Sequence, residues 1–231
     1  MKRIILATLA VSAFGQSAFE VVSIKPAPPG VRNMGIGRGP GGGMNAYNVP
    51  LKFLITYAYD VRDFQVSGGP GWADSERYDV SAKPESRASQ EQLKLMLQTL
   101  LADRFKLVLH RETRQLPVYE LIVGKGGPKL KESAEGASPS LLTDGKSITA
   151  SKVTMPMFIR LLSQLLGRSV LDKTGLAGNY DFKLEWTPDE AEGDGPSVFT
   201  AIQEQLGLKL DSQKGPVETL VIDHAEKPTE N

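Results

Sequence analysis

A chain of 231 residues, 40% apolar and 23% charged, has material for a buried core of one or two domains. Its 27 basic residues balance 27 acidic ones, which removes the electrostatic motive for a nucleic-acid or anionic-membrane partner. It contains no cysteine, so disulfides and thiol chemistry are excluded and stability rests on the core.

At the N-terminus, Lys2 and Arg3 precede an almost unbroken apolar run from Ile4 to Phe14, and Ala13, Gly15 and Ala18 supply small residues at a cleavage position. That layout predicts a signal peptide over 1–18 and an exported protein, periplasmic or secreted. No later stretch is apolar enough for the roughly 20 residues a membrane helix needs, so the mature chain is expected to lack a transmembrane segment.

Phe19 to Ile24 reads as a strand stopped by Pro26, Pro28 and Pro29. From Gly30 to Gly43 the chain is rich in Gly and Pro and is expected to be a mobile loop. Gly37, Gly39 and Gly42 give a formal G-x-G-x-x-G around Arg38, but Met44 to Val49 reads as a strand. The helix whose N–H groups would face a pyrophosphate is therefore missing. Leu51, Leu54, Ile55, Ala58 and Tyr59 mark one face of a helix. A short strand over 64–66 and the turn Gly68–Gly71 follow, then a half-wet strand through Tyr78, Val80 and Ala82. Ser89 and Gln92 form a capping box for a helix buried through Leu93, Met96, Leu97, Leu100 and Leu101. Phe105 to Leu109 and Val118 to Val123 read as two strands closing this module.

Residues 125–146 show no periodicity and read as an exposed linker. The second module repeats the first: a strand at 148–152, a helix from Thr154 to Leu166, an alternating strand from Tyr180 to Trp186 and a helix capped by Ser197 and ended by Gly207. The strands at 208–210 and 220–222 complete it. The paired strings Tyr78-Asp79 and Tyr180-Asp181, and Pro117-Val118 and Pro216-Val217, support an internal duplication. The expected fold is therefore α+β, in two similar modules of two helices packed on a small mixed or antiparallel sheet. The expected domains are 1–18 signal peptide, 19–124 first module, 125–146 linker and 147–231 second module.

No catalytic template is completed. His110 and His224 are the only histidines, and neither has a second histidine at helical spacing, so no metal site is expected. Asp172-Lys173-Thr174-Gly175 matches the K-T-G of penicillin-binding enzymes without their S-x-x-K serine, and reads as a polar turn. Asp79 and Asp181 read as solvated strand-face carboxylates. No catalytic or cofactor-binding residue is assigned and no cofactor is expected. The candidate contact residues are Trp72, Arg38, Asp172 and Lys173, with Trp72 presented by the Gly69-Pro70-Gly71 turn.

Phe19 to Pro26, Gly69-Pro70-Gly71-Trp72, Leu100 to Leu107, Asp172 to Leu176 and Leu206 to Leu210 resemble a soil-associated family of exported proteins described from Acidobacteria. Its domain has no assigned function, so the resemblance implies no catalytic residue. The element order also resembles the short N-terminal domain of secretins and TonB-dependent receptors, which implies binding of protein partners through helices or strand edges. The leading expectation is an exported, non-enzymatic protein contacting a protein or cell-envelope partner, first of all by strand addition. The alternatives are a small-ligand site between the modules, with the 30–43 loop as lid and Trp72 as platform, and a carboxylate-dependent hydrolase.

Overall fold

The computed structural model of the protein describes residues 18–136, 138–188 and 195–229. Residues 1–17, which hold most of the expected signal peptide, lie outside them, as do residues 189–194.

In chain order the elements are β1 (Val21–Pro26), β2 (Gly35–Arg38), β3 (Met44–Pro50), α1 (Leu51–Tyr59), β4 (Val66–Gly68), α2 (Trp72–Ser75), β5 (Arg77–Lys83), α3 (Gln90–Arg104) and β6 (Val108–Val123). There follow β7 (Lys131–Glu132), β8 (Ser140–Thr143), β9 (Ser147–Thr154), α4 (Met155–Leu165), β10 (Val170–Asp172), β11 (Asn179–Glu185), α5 (Val198–Leu206) and β12 (Leu208–His224). Three four-stranded sheets result, in the orders β1-β5-β3-β2, β10-β6-β12-β4 and β7-β11-β9-β8.

This corrects the expected fold class. The described residues are mostly β, 41% strand against 26% helical, in place of two modules of two helices on a small sheet. Helices α1, α3, α4 and α5 stand where the 3.6-residue periodicity puts them, whereas the one-turn α2 lies where no helix was expected. The difference comes from strands in stretches that carry no alternating apolar pattern. The 30–43 segment contributes β2, whose Gly35 and Gly37 have no side chains to bear a period of two. Residues 125–146 contribute β7 and β8, and each module's two expected closing strands are one continuous strand, the 16 residues of β6 and the 17 of β12.

The chain divides into two compact units, one comprising residues up to Glu112 with those from Thr219 onward, the other Thr113–Glu218. The first is built on the sheet β1-β5-β3-β2, and its core includes Leu51, Leu54, Ile55, Leu97, Leu101 and Phe105. Leu220 and Ile222, at the end of β12, belong to this core, and Leu220 to Ile222 pair in parallel with Val66 to Gly68. α3 starts on the capping box read from the sequence: Gln92 N–H donates to Ser89 Oγ at 3.2 Å, and Ser89 N–H to Gln92 Oε1 at 2.8 Å.

The second unit is built on β7-β11-β9-β8, with Leu121, Ile148, Phe158, Leu162, Leu184, Ile202 and Leu206 buried in its core. Phe158 and Phe182 meet edge to face with centroids 4.8 Å apart. β10 pairs in parallel with β6 from Val170–Tyr119 to Asp172–Leu121. Ser163 Oγ, on α4, accepts the Val170 N–H at 2.9 Å and ties the helix to that strand.

Each unit contains the same bulge. Between Ala46 and Val49 of β3, two residues oppose the single Asp79 of β5, and between Ala150 and Val153 of β9 two oppose the single Asp181 of β11. The second bulged residue takes a left-handed conformation in both, φ 52° at Asn48 and φ 50° at Lys152. Its N–H donates to the opposite carboxylate at 2.8 Å in both cases. Asp79 and Asp181 are thus acceptors that secure bulges, a more specific role than the solvated strand face expected of them.

Candidate functional site

The four sequence-selected contact residues fall two in each unit. In the first unit, Trp72 is half-buried against the core at the start of the one-turn α2, so its indole packs inward. Arg38 is exposed at the end of β2, where Nη1 donates to the Ala88 carbonyl at 3.4 Å. In the second unit, Asp172 Oδ1 accepts Thr174 N–H at 2.9 Å and Thr174 Oγ1–H at 2.7 Å, and Leu176 N–H donates to Thr174 Oγ1 at 3.1 Å. Lys173 N–H donates to the Leu121 carbonyl at 2.9 Å, and Gly175 adopts φ 68°. That is the polar turn its sequence suggests. Among the described residues no group of three or more His, Asp or Glu side chains could hold a metal ion, and no helix is long and apolar enough to cross a membrane.

The second unit offers a different arrangement. β8, with the sequence Ser-Leu-Leu-Thr, is an outer strand of its sheet, hydrogen-bonded only to β9. It is joined to β9 by the turn Asp144-Gly145-Lys146, which Asp144 Oδ1 secures by accepting Lys146 N–H at 3.1 Å and Ser147 N–H at 2.7 Å. The register runs from Ser140–Ser151 to Thr143–Ile148, and Asp144 N–H continues it by donating to the Ser147 carbonyl. Antiparallel pairs alternate between bonded and non-bonded. With Asp144–Ser147 bonded, Leu142–Thr149 and Ser140–Ser151 are bonded too, and the intervening Leu141 and Thr143 direct their N–H and C=O groups away from β9.

The side chains follow the same alternation. Leu141 packs against the unit's core, whereas Leu142 points to solvent and is 66% exposed, the highest value among the described large apolar side chains. Exposed edges are usually blunted by charge, Pro or a bulge. β7 is Lys131–Glu132, β2 ends on Arg38 and β1 ends on Lys25-Pro26; in β8 the four residues Ser140–Thr143 carry neither charge nor proline, with Pro139 before them and Asp144 after.

Gly145 of the β8–β9 turn also lines a groove of about 440 Å³, with Tyr119, Leu165, Leu166, Trp186, Val198 and Phe199 among its walls. Trp186 N–H donates to the Lys146 carbonyl at 3.0 Å, fixing this wall to the turn. Tyr119 and Phe199 meet edge to face at 5.3 Å, and the Arg168 guanidinium lies 4.6 Å from the Tyr119 ring centroid. The groove's lining residues carry no charge of their own, and Phe199 and Leu165 are 39% and 37% exposed at its rim.

Neither β8 nor the groove was singled out by sequence reasoning. The signal available was Asp144-Gly145 between two short runs bearing Leu and Ile, a known hairpin mark. No curated protein and no solved structure matches the chain. A protein-family match covers residues 52–225, and on it the chain belongs to the DUF3738 family of proteins of unknown function.

Proposed function

We propose that this is an exported binding protein, not an enzyme, that takes up an extended segment of a protein partner in the cell envelope at the open edge of β8. One observation carries the reading: Leu141 and Thr143 present unpaired backbone donors and acceptors along an uncharged edge, beside the exposed Leu142. An added strand would satisfy those groups and cover Leu142, with main-chain bonds giving affinity and alternate side chains giving selectivity. Export rests on the charged start, apolar run and small residues of 1–18, and on the resemblance to exported soil-bacterial proteins. The recurring bulges with their matched aspartates favour an internal duplication as the origin of the two similar element orders.

The test is crosslinking of the full chain in its native envelope, with Thr143→Pro as comparison. Proline at 143 removes an outward donor and leaves the β9 bonds of Leu142 in place. Crosslinks clustering on 138–146 and lost in the proline variant are expected. Crosslinks that lie elsewhere and survive the substitution contradict the reading.

The groove favours a second reading, a small apolar ligand. Its volume falls within the roughly 300–1,000 Å³ usual for ligand sites, and three aromatic rings line it. A ligand-induced rise in melting temperature that Phe199→Ala abolishes would support it.

A further inference from the structure

The partner strand at β8 is left open by the reading above, and the geometry of the edge narrows it. We infer that the strand β8 accepts is β8 of a second copy of this chain; the inference rests on strand addition at that edge.

Outward-facing groups occur at Leu141 and Thr143, symmetrically placed about Leu142. Antiparallel addition of a second β8 about a two-fold axis through Leu142 sets each Leu141 opposite the other copy's Thr143. Both members of that pair face outward, so each pair exchanges two N–H···O=C bonds and the junction forms four. A register shifted by one residue would instead oppose Leu141 or Thr143 to a residue already bonded to β9. Leu142 then meets Leu142 of the copy as a non-bonded pair, Cα atoms about 4.5 Å apart, and each covers the other's exposed side chain.

Charge agrees with this register. Ser140 to Thr143 carry none, Asp144 falls opposite Ser140 and Lys146 opposite Ser138, so no like charges meet across the junction. With Lys2 and Arg3 of the 1–18 segment left out, 25 basic residues face 27 acidic ones, a net charge of −2, so copies approach with little long-range repulsion. Four residues on each side bury far less than the roughly 1,200 Å² of a stable interface, so association is weak and depends on concentration.

The absence of native cysteine makes the test specific. A Leu142→Cys variant of the full chain places two thiols across the two-fold axis, with the Cα separation of about 4.5 Å inside the disulfide range. Mild oxidation at high protein concentration should give a covalent dimer on non-reducing gels. Leu95→Cys, on α3 and 55% exposed, serves as control and should stay monomeric. Combining Leu142→Cys with Thr143→Pro should abolish the dimer; Ser140→Glu, a substitution on the solvent face that sets a carboxylate opposite Asp144 of the copy, weakens it by charge repulsion and serves if the proline variant does not fold. No faster crosslinking at Leu142→Cys than at Leu95→Cys overturns the self-pairing. In that event, partner crosslinks at 138–146 that Thr143→Pro removes would still leave strand addition standing, and their absence would remove both.

Discussion

Leu220 lies near the C-terminus yet is 1% exposed in the core of the first unit, opposite Val66 in a parallel pair. Leu220→Ala removes three carbons from that core. At about 0.8 kcal/mol each, the transfer term is roughly 2.4 kcal/mol. A residual cavity raises the total toward the 2–5 kcal/mol seen for such truncations. With a urea m-value of about 2 kcal/mol/M, a loss near 3 kcal/mol moves the unfolding midpoint down by about 1.5 M. The molecule supplies its own reporters, because Trp72 packs on the first core and Trp186 is buried in the second. Leu220→Ala is therefore made in two backgrounds, Trp186→Phe to follow the first unit and Trp72→Phe to follow the second. The Trp72 signal should shift at least as much as the Trp186 signal. A midpoint change under about 0.5 M, or one seen only by Trp186, would refute the assignment of the β12 terminus to the first core.

Two further outcomes follow from the second unit. The Ser133 hydroxyl, then the Lys152 amide, hold the Asp181 carboxyl below its usual range. The folded state thus binds fewer protons than the unfolded one between the depressed value and about 3.9, so stability is full above that pH and falls as pH drops through the window. In acid titrations followed by Trp186 fluorescence, Asp181→Asn should lose this part of the pH dependence, and an unchanged acid limb would contradict the bulge role. At Gly207, which ends α5 with φ 66°, a Cβ would lie 2.1 Å from the Gly127 carbonyl oxygen. Gly207→Ala should cost at least the roughly 1–2 kcal/mol of a left-handed non-glycine residue and lower Tm by more than about 4 °C in a thermal melt. Lys106, which follows α3 with φ 49°, should by contrast accept glycine with little loss.

Helices α1, α3, α4 and α5 were legible because each presents a buried stripe to one core, and their ends because Ser89, Ser197 and Gly207 act through local bonds; the four-residue α2, with only Ala73 buried, has no stripe to show. Strands with one wet face, such as β5 and β11, were legible by alternation. The middle of β6, from His110 to Gln115, is polar throughout and exposed except at the part-buried Glu112, and thus offers no apolar pattern for a sequence to show. β2 and β7 were hidden for the related reason that glycine and paired charges carry no apolar signal. The candidate site was illegible for a different cause. Whether a strand is central or outer depends on which distant strands pair with it, so the openness of β8 is a property of topology. Its residues, Ser-Leu-Leu-Thr within a polar stretch, read as linker until β9 is seen on only one side.

The claim that β8 receives a strand is tested most directly by amide hydrogen exchange at Leu141, Leu142 and Thr143 in the full chain. In dilute protein, Leu142 N–H should be protected by β9, while Leu141 and Thr143 exchange freely. As protein concentration rises, or when envelope extract is added, Leu141 and Thr143 should become protected while Leu142 changes little. Equal exchange at all three residues in dilute protein, or free exchange of Leu141 and Thr143 under every condition, would contradict the account.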